Sequence, residues 1–203
     1  ELTAELTAEL NARKKQYEYY RDLLLTFGDE VEWKKLGELV VIKNGKDYKN
    51  FGNGKIPVYG SGGIMTYIDT YIYDKPSVLI PRKGSIDKLY YVDVPFWNVD
   101  TIFYTEIKNN VVNPKYIFYY LQMIHLEKLN SAGGVPSLTQ AILKLVPIPL
   151  PSLNKQGRIV SILDEFDFLI NDISKGLPAE IKARQKQYEY YRDKLLNFPE
   201  VKT

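Results

Sequence analysis

The chain opens with a stretch whose apolar residues recur at helical spacing. Residues 1–25 contain no Gly or Pro, and their apolar positions are separated by intervals built from three and four residues. The row consists of Leu2, Leu6, Leu10, Tyr17, Tyr20 and Leu24. This spacing places the side chains on one face of an α-helix, as packing against a second helix requires. Gly28 follows, a residue that commonly ends a helix, so we predict one amphipathic helix over residues 1–27.

A second long helix is predicted near the carboxyl end of the sequence. It begins at Asn154 or Lys155, and its apolar residues again recur at intervals of three and four. This row consists of Ile159, Ile162, Leu163, Phe166, Leu169, Ile170 and Ile173. Residues 176–178 (Gly-Leu-Pro) interrupt the pattern, and we expect a kink or a brief break there because Pro removes a hydrogen bond inside a helix. The helical segment 154–198 then resumes, and residues 199–203 form a tail.

Between these helices, residues 28–153 form a domain of short β-type runs separated by Gly, Asn, Asp and Pro. The predicted strands are 39–42, 56–59, 71–73, 77–80, 89–92 and 101–104, and the long loops are 43–55, 60–63, 82–87 and 95–100. A helix over about 115–128 and a short helix over about 138–144, with Ser137 as its N-cap, follow. Residues 146–153 alternate apolar residues with Pro, which favours an extended segment at a sheet edge. The pattern predicts an α+β fold with a mixed or antiparallel sheet.

The two helical stretches share a duplicated sequence. Residues 12–27 (ARKKQYEYYRDLLLTF) and 183–198 (ARQKQYEYYRDKLLNF) are identical at thirteen of sixteen aligned positions. Such a duplication is typical of a tandem arrangement or of a chain that meets a second copy of itself. Its tyrosines fit the core of a helix pair better than the alternative, a platform on which bases stack. The residues expected to pair the helices are Leu6, Leu10, Tyr17, Tyr20, Leu24, Ile159, Leu163, Phe166, Ile170, Ile173, Tyr188, Tyr191 and Leu195.

Composition narrows the class of protein only a little. Hydrophobic residues make up 45% of the chain and charged residues 26%, as in ordinary soluble proteins. We find neither an apolar run long enough for a transmembrane helix nor a signal peptide, and the absence of Cys fits a cytoplasmic protein. The net charge of +2 is too small to indicate a nucleic-acid partner by itself.

The sequence offers little for catalysis. His125 is the one histidine, and in a helix-like stretch a structural role is the more common one. Metal-ligand spacing of Cys and His, a phosphate-binding glycine loop and the (N/D)PP(Y/F) motif of adenine methyltransferases are all missing from the sequence. An enzyme such as a nuclease or a sugar-acting hydrolase would need converging carboxylates, and the spacing of the aspartates gives no reason for convergence. We therefore expect a protein that binds rather than catalyses, with no metal.

Several motifs in this order resemble the specificity subunits of Type I restriction–modification systems. They are VEWKKLGEL (31–39), IPVYGSGGI (56–64), VLIPRKGS (78–85), PSLTQAILKLVPIPLP (136–151) with the following Gln156 and 158–160 (RIV), and the duplicated helix sequence. The resemblance covers essentially the whole chain. It implies one target-recognition domain that reads half of a bipartite double-stranded DNA site, between helices that pair as an antiparallel coiled coil, set the spacing of the half-sites and dock methyltransferase subunits. Restriction subunits would join the complex through the methyltransferase subunits, and S-adenosylmethionine would bind to the methyltransferase partner. This chain itself needs no cofactor.

The resemblance points to the loops as the places of DNA contact. Lysines and asparagines between residues 43 and 55 form a basic arm that could meet phosphates and adenine edges, although a solvated surface loop has the same composition. The glycines at 60–63 allow close approach of backbone to phosphate, or form a plain hairpin turn. Arg82 offers a fork for guanine or phosphate, and we expect Trp97 and Phe96 in the core with Asn98 exposed beside them. The candidate DNA-binding residues are Lys43, Lys46, Lys49, Asn53, Lys55, Ser61, Gly62, Gly63, Arg82, Lys83, Ser85 and Asn98.

Two questions stay open at the level of sequence. The chain corresponds either to a half-subunit that forms a homodimer or to the carboxyl-terminal half of a longer subunit. A non-catalytic scaffold protein that assembles through its duplicated helices is the alternative function. The Thr-Ala-Glu-Leu units at 3–6 and 7–10 also lead to a hypothesis. Each adds about 6 Å of helix, so their number would adjust the spacing between two DNA half-sites.

Overall fold

A computed structural model describes residues 2–129, 137–171 and 177–196. It divides the chain into two compact units, Leu25–Val160 and the pair of segments Glu1–Leu24 and Ser161–Thr203. The strands are β1 (Glu32–Lys35), β2 (Val40–Asn44), β3 (Asn53–Gly60), β4 (Gly63–Ile68), β5 (Ser77–Pro81), β6 (Tyr90–Val92), β7 (Trp97–Asn98), β8 (Ile102–Ile107) and β9 (Pro147–Leu150). The helices are α1 (Leu2–Leu25), α2 (Leu36–Leu39), α3 (Pro114–Met123), α4 (Gln140–Lys144), α5 (Leu153–Asn171) and α6 (Leu177–Leu196), with a 3₁₀ turn at Leu126–Leu129. The fold class is α+β, as the sequence predicts.

The unit Leu25–Val160 contains three small sheets. The largest has the strand order β2-β8-β5-β6 with antiparallel neighbours. A second sheet has the order β4-β3-β7, in which β3 and β7 are parallel. The third pairs β1 with β9, so the Pro-rich segment lies in a two-stranded sheet. This confirms its prediction as an extended edge strand, the position that tolerates Pro best.

The four-stranded sheet and α3 form the main core. Every residue of β5 is buried, and α3 lies against β5 and β6. Asn113 begins α3 by accepting hydrogen bonds from the N–H groups of Lys115 at 2.8 Å and Tyr116 at 3.4 Å, and Pro114 occupies the first turn. The helix buries Tyr116, Ile117, Tyr119, Tyr120 and Leu121.

A buried side-chain pair links β5 to β8. The Ser77 hydroxyl donates to the Thr105 carbonyl at 2.8 Å and accepts from the Thr105 N–H at 3.0 Å. The Thr105 hydroxyl accepts from the Val78 N–H at 2.9 Å and donates to the Val78 carbonyl at 3.2 Å. Ser77 and Thr105 have no exposed surface. Their side chains supply hydrogen bonds between β5 and β8 at a position where the two strand backbones do not bond to each other directly.

Gln156 ties the start of α5 to the rest of this unit. Its side chain is fully buried. The amide donates to the carbonyls of Pro151 at 2.8 Å and Val111 at 3.1 Å, and its oxygen accepts from the Asn113 N–H at 2.8 Å. One side chain thereby satisfies three backbone groups from two parts of the chain, residues 111–113 and Pro151.

The described residues of the unit formed by Glu1–Leu24 and Ser161–Thr203 are helical. The Phe166 ring lies 6.4 Å from the Tyr17 ring and 5.8 Å from the Tyr20 ring, between centroids. Burial, with a smaller contribution from Asp167, raises the pKa of Tyr17 to about 12. Leu163 and Ile170 are buried, whereas Leu10 is half-buried. These contacts agree with the expected face, although the pairing as an antiparallel coiled coil remains a prediction.

On α6, Tyr188 and Tyr191 are 64% and 51% exposed in the single chain, so their expected pairing would need a further partner. Leu24 is half-buried, and Ile159, in the other unit, is 3% exposed. The side chains of Leu6 and Leu195, the residue Ile173 and Gly176, the first residue of the expected kink at 176–178, lie outside the described residues.

Several element predictions were wrong in detail. Residues 71–73 are not a strand: they contribute one isolated bridge, Tyr73 to Phe96. β1, β4 and β7 were not predicted, and the short helix α4 is capped by Thr139, whose hydroxyl accepts from the Ile142 N–H at 3.3 Å, instead of by Ser137. Residues 36–39 form a helical turn, and α3 ends at Met123, before the expected limit. These are short elements whose form depends on long-range pairing more than on local sequence pattern.

Candidate nucleic-acid interface

Loops that follow β2, β3, β5 and β7 are joined by hydrogen bonds between distant parts of the sequence. The Lys46 N–H donates to the Asn98 carbonyl at 2.9 Å, and the Arg82 N–H donates to the Thr101 carbonyl at 3.0 Å. The Leu138 N–H donates in turn to the Arg82 carbonyl at 2.9 Å. We call the resulting surface the loop face. It consists of residues 44–50, 60–63, 82–85, 98–101 and 137–140.

The hairpin turn at 60–63 is held within this surface by a tyrosine. The Tyr90 hydroxyl donates to the Ser61 carbonyl at 3.2 Å. Burial, and next the charge of Asp87, raise the pKa of Tyr90, so its hydroxyl stays protonated and remains a donor at neutral pH. Gly84 has a φ of +76° and comes so close to the turn that a Cβ there would lie 3.4 Å from the Ser61 hydroxyl oxygen. A glycine suits both its backbone conformation and this approach.

A cleft of about 960 Å³ opens in the loop face. Its lining comprises residues 45–49, 60–62, 65 and 99–101. A Cβ on Gly45 would lie 2.1 Å from the Val99 carbonyl oxygen, so only glycine fits where these two backbone segments meet. Lys46 and Lys49 are exposed beside the cleft. The cleft thus combines cationic side chains that suit phosphates with backbone groups that a ligand can approach closely.

Further cations lie on other parts of the loop face or next to it in the sequence. Arg82 is half-buried, and its guanidinium carbon lies 5.2 Å from the centroid of the Phe103 ring. This stacking restrains a side chain that could bind guanine or phosphate through two hydrogen bonds. Lys83 is exposed. Lys43 lies 3.8 Å from a carboxylate oxygen of Glu106, which offsets part of its charge.

The expectation of an exposed Asn98 was wrong. Asn98 is fully buried, and its side-chain amide donates to the Ile102 carbonyl at 2.7 Å. Its backbone carbonyl accepts the Lys46 N–H described above. Asn98 therefore shapes the loop face from beneath. Phe96 and Trp97 are buried, as predicted.

The structure also separates two predicted contact residues from the others. Asn53 and Lys55 lie at the start of β3, whereas Ser61 and Gly62 follow its end. A strand of this length places Lys55 about 20 Å from Ser61, because each residue advances by about 3.3 Å. Both side chains are exposed, but they lie outside the loop face.

The remaining candidates lie on the loop face. Gly62 is exposed, Ser61, Gly63 and Ser85 are half-buried, and Gly63 has a φ of +119°. Sequence reasoning missed Tyr90 and Gln140, whose side-chain amide donates to the Asn44 side-chain oxygen at 3.3 Å. It also missed Met65 and Thr101, which line the cleft. No local pattern marks these residues, because each takes its place through partners far away in the sequence.

Within residues 2–129, 137–171 and 177–196, no group of three or more His, Asp and Glu side chains could hold a metal ion. His125 is exposed just after α3, with a φ of 55°. In the same part of the chain, no helix combines the length and the apolar character needed to cross a membrane.

The described residues thus combine an α+β domain, whose loop face carries lysines and glycines, with long helices. The family model described as "Type I restriction modification DNA specificity domain" matches residues 28–183, and the chain belongs to this family.

Two relatives of this chain are named as specificity subunits. The chain is 40% identical to the Type I restriction enzyme EcoR124I/EcoR124II specificity subunit of Escherichia coli, with all of this chain and 57% of that protein aligned. It is 34% identical to the putative specificity subunit S.HindORF215P of Haemophilus influenzae, over 92% of this chain and 53% of that protein. The chain spans about half the length of these relatives.

A solved structure shares the fold. The S subunit of a Type I restriction–modification system from M. genitalium superposes with a TM-score of 0.67 at 23% identity, over 98% of this chain and 57% of that one.

Proposed function

We propose that this chain is a non-catalytic specificity module of a Type I restriction–modification complex and that its loop face reads one half of a bipartite double-stranded DNA site. The observation that carries the proposal is the loop face itself, where Lys46 and Lys49 line a cleft with glycines in its wall. Two aspartates, Asp47 and Asp100, also line this cleft. Two further cations, Arg82 and Lys83, lie on another segment of the loop face. The family match and the specificity-subunit names of the relatives favour this function over the scaffold alternative.

Salt-dependent binding tests the proposal directly. Binding of the full chain to fluorescent duplex DNA is measured by anisotropy over a series of salt concentrations. Each lysine that meets a phosphate contributes about 0.9 to the slope of log affinity against log salt, so Lys46→Ala and Lys49→Ala are each expected to lower the slope by about one.

Lys34→Ala is the matched control. Lys34 lies on β1, which pairs with β9 in a separate two-stranded sheet, and it forms an ion pair with Glu32 at 3.2 Å. Its removal is expected to leave the slope unchanged. A wild-type chain whose DNA affinity is absent or independent of salt would refute the proposal.

We further propose that the helices dock methyltransferase subunits, which would carry S-adenosylmethionine and recruit restriction subunits, in the cytoplasm. α1 is continuous from Leu2 to Leu25, so both Thr-Ala-Glu-Leu units belong to one helix. Insertion of a further unit would lengthen this helix by about 6 Å and widen the gap between half-sites. Mapping of methylated sites with the partner methyltransferase tests this, and an unchanged gap would contradict it.

A homodimer would complete the module. Tyr188, Tyr190 and Tyr191 of α6 and Tyr19 of α1 expose more than half of their surfaces, which supports a further helical partner. Two identical readers related by a twofold axis would recognise an interrupted palindrome. Light scattering of the isolated chain and the symmetry of the methylated site both test the dimer. A monomer by light scattering together with an asymmetric site would exclude it.

A further inference from the structure

We infer that the indole N–H of Trp97 positions Lys46 for DNA binding, so that Trp97 governs DNA affinity without touching DNA. This inference rests on the proposed function of the loop face. Trp97 is 7% exposed and lies on β7, beneath the loop that carries Lys46. It acts through the backbone of Lys46 and is a positioning residue.

The backbone of Lys46 is held from both sides. The Trp97 Nε1–H donates to the Lys46 carbonyl at 2.9 Å, and the Lys46 N–H donates to the Asn98 carbonyl at 2.9 Å. Gly45 meets the backbone at Val99 so closely that a Cβ would lie 2.1 Å from its carbonyl oxygen. Two hydrogen bonds and one tight contact therefore fix where the Lys46 side chain leaves the loop.

The residues beyond Lys46 depend on the same anchor. The Phe51 N–H donates to the Tyr48 carbonyl at 3.1 Å, and the Lys49 N–H donates to the Asp47 carboxylate at 3.1 Å. These bonds close the loop on itself. The Phe51 ring then lies 4.6 Å from the Trp97 ring, between centroids.

Trp97 thus contacts the loop at two points, at its beginning and near its end. Residues 45–48 have no regular secondary structure, so a loop released from Trp97 no longer holds the Lys46 side chain at a fixed position. Lys46 then loses its contact with one phosphate, which the indole preserves by holding the loop in place.

The substitution Trp97→Phe separates positioning from packing. It keeps an aromatic ring in the cluster with Val58 and Ile68 and removes the indole N–H. The Lys46 carbonyl belongs to a surface loop with an exposed side chain, where water can replace the lost donor.

The other tryptophan provides a matched control. The Trp33 Nε1–H also donates to a backbone carbonyl, that of Gly28, at 3.1 Å, and it lies on β1, away from the loop face. Trp33→Phe loses the same kind of hydrogen bond without releasing the basic loop.

The experiment measures binding of duplex DNA by the full chain over a salt series for the wild type, both tryptophan variants, Lys46→Ala and the double variant Trp97→Phe/Lys46→Ala. Trp97→Phe is expected to lower the slope of log affinity against log salt by about one and to weaken binding by about eightfold at 0.1 M salt, as one lost phosphate contact implies. Lys46→Ala is expected to give the same change, the double variant no further change, and Trp33→Phe none.

Three results would overturn the inference. A Trp97→Phe variant with the wild-type slope would show that the indole does not position Lys46. Additive effects in the double variant would show that Trp97 acts elsewhere. A wild type without salt-dependent binding, with all variants equal to it, would refute the proposed function itself, and this result is distinct from the other two.

A second variant guards against failure to fold. If Trp97→Phe unfolds more than a few degrees below Trp33→Phe, benzothienylalanine at position 97 replaces it, because this residue has the shape of tryptophan but sulfur in place of the N–H. It is expected to unfold near the wild type and still to lose about one unit of slope. A wild-type slope for this variant would likewise refute the positioning role.

Discussion

Replacement of Gln156 by leucine tests how much of the fold depends on one buried amide. The Gln156 side chain satisfies the carbonyls of Pro151 and Val111 and the N–H of Asn113, at distances between 2.8 and 3.1 Å. It has no exposed surface. Gln156→Leu has nearly the same volume and cannot form any of these bonds, so three backbone groups would lose their partner. The bond to Pro151 is buried, and those to Val111 and Asn113 are partly buried.

The magnitude follows from these three groups. Each buried polar group that loses its partner costs about 1–3 kcal/mol, and values near the lower middle of this range give about 4.5 kcal/mol in total. The leucine side chain returns about 1.5 kcal/mol of apolar burial. The net loss is about 3 kcal/mol, which lowers the unfolding temperature of a chain of this size by about 10 °C. The loss includes the Asn113 backbone, so the start of α3 is expected to loosen first.

Thermal and urea unfolding, followed by circular dichroism, measure this loss. Gln140→Leu is the control, because Gln140 makes a single exposed side-chain bond of 3.3 Å to Asn44 and is expected to change stability by no more than about 0.5 kcal/mol. A Gln156→Leu variant within about 1 kcal/mol of the wild type, or equal to Gln140→Leu, would refute the reasoning from unsatisfied groups.

Three further predictions concern other parts of the molecule. Thr105→Val keeps the shape of the side chain but leaves the buried Val78 N–H without its acceptor. Urea unfolding should therefore show a free energy of unfolding lower by about 2 kcal/mol, and a decrease below about 0.5 kcal/mol would contradict this. The raised pKa of Tyr17 means that the neutral side chain favours the folded state, and this stabilisation is complete below pH 10 and is lost as the pH rises through about 12. Tyr17→Phe should therefore unfold less readily than the wild type at pH 11–12, and equal alkaline unfolding of the two proteins would contradict this. Gly45→Ala should displace the basic loop, lower the unfolding temperature and weaken DNA binding at least fivefold. A Cβ at Gly62 meets no atom within 4 Å, so Gly62→Ala should keep the wild-type unfolding temperature, and equal unfolding temperatures of the two variants would contradict this.

The long helices and the central strands could be predicted because their signals are local. The apolar rows of α1 and α5 recur with the helical period, and the buried run at 77–80 lies within β5. The burial of Asn98 could not be predicted from such local signals. A polar residue between Pro95 and Asp100 is typical of an exposed loop, yet β7 has only two residues, and its burial comes from pairing with β3. Two residues are too few for any periodicity to appear.

The candidate site shows the same limit. Lysines at 43–49 and arginine at 82 were identified from composition and resemblance, and the structure places them on or beside one surface. Lys55 has the same charge and nearly the same sequence context, but the extended course of β3 carries it away from Ser61. Tyr90 was missed because its contact with Ser61 joins residues 29 positions apart. Proximity of this kind depends on the tertiary fold.

The bonds that join the segments of the loop face have a consequence for its evolution. Lys46 to Asn98, Arg82 to Thr101 and Leu138 to Arg82 are all bonds between backbone groups, and they do not depend on side-chain identity. Exposed side chains on these segments can therefore change while the backbone bonds beneath them stay intact. Under the proposed function, such a surface can acquire a new sequence preference by a few exposed substitutions without first losing stability.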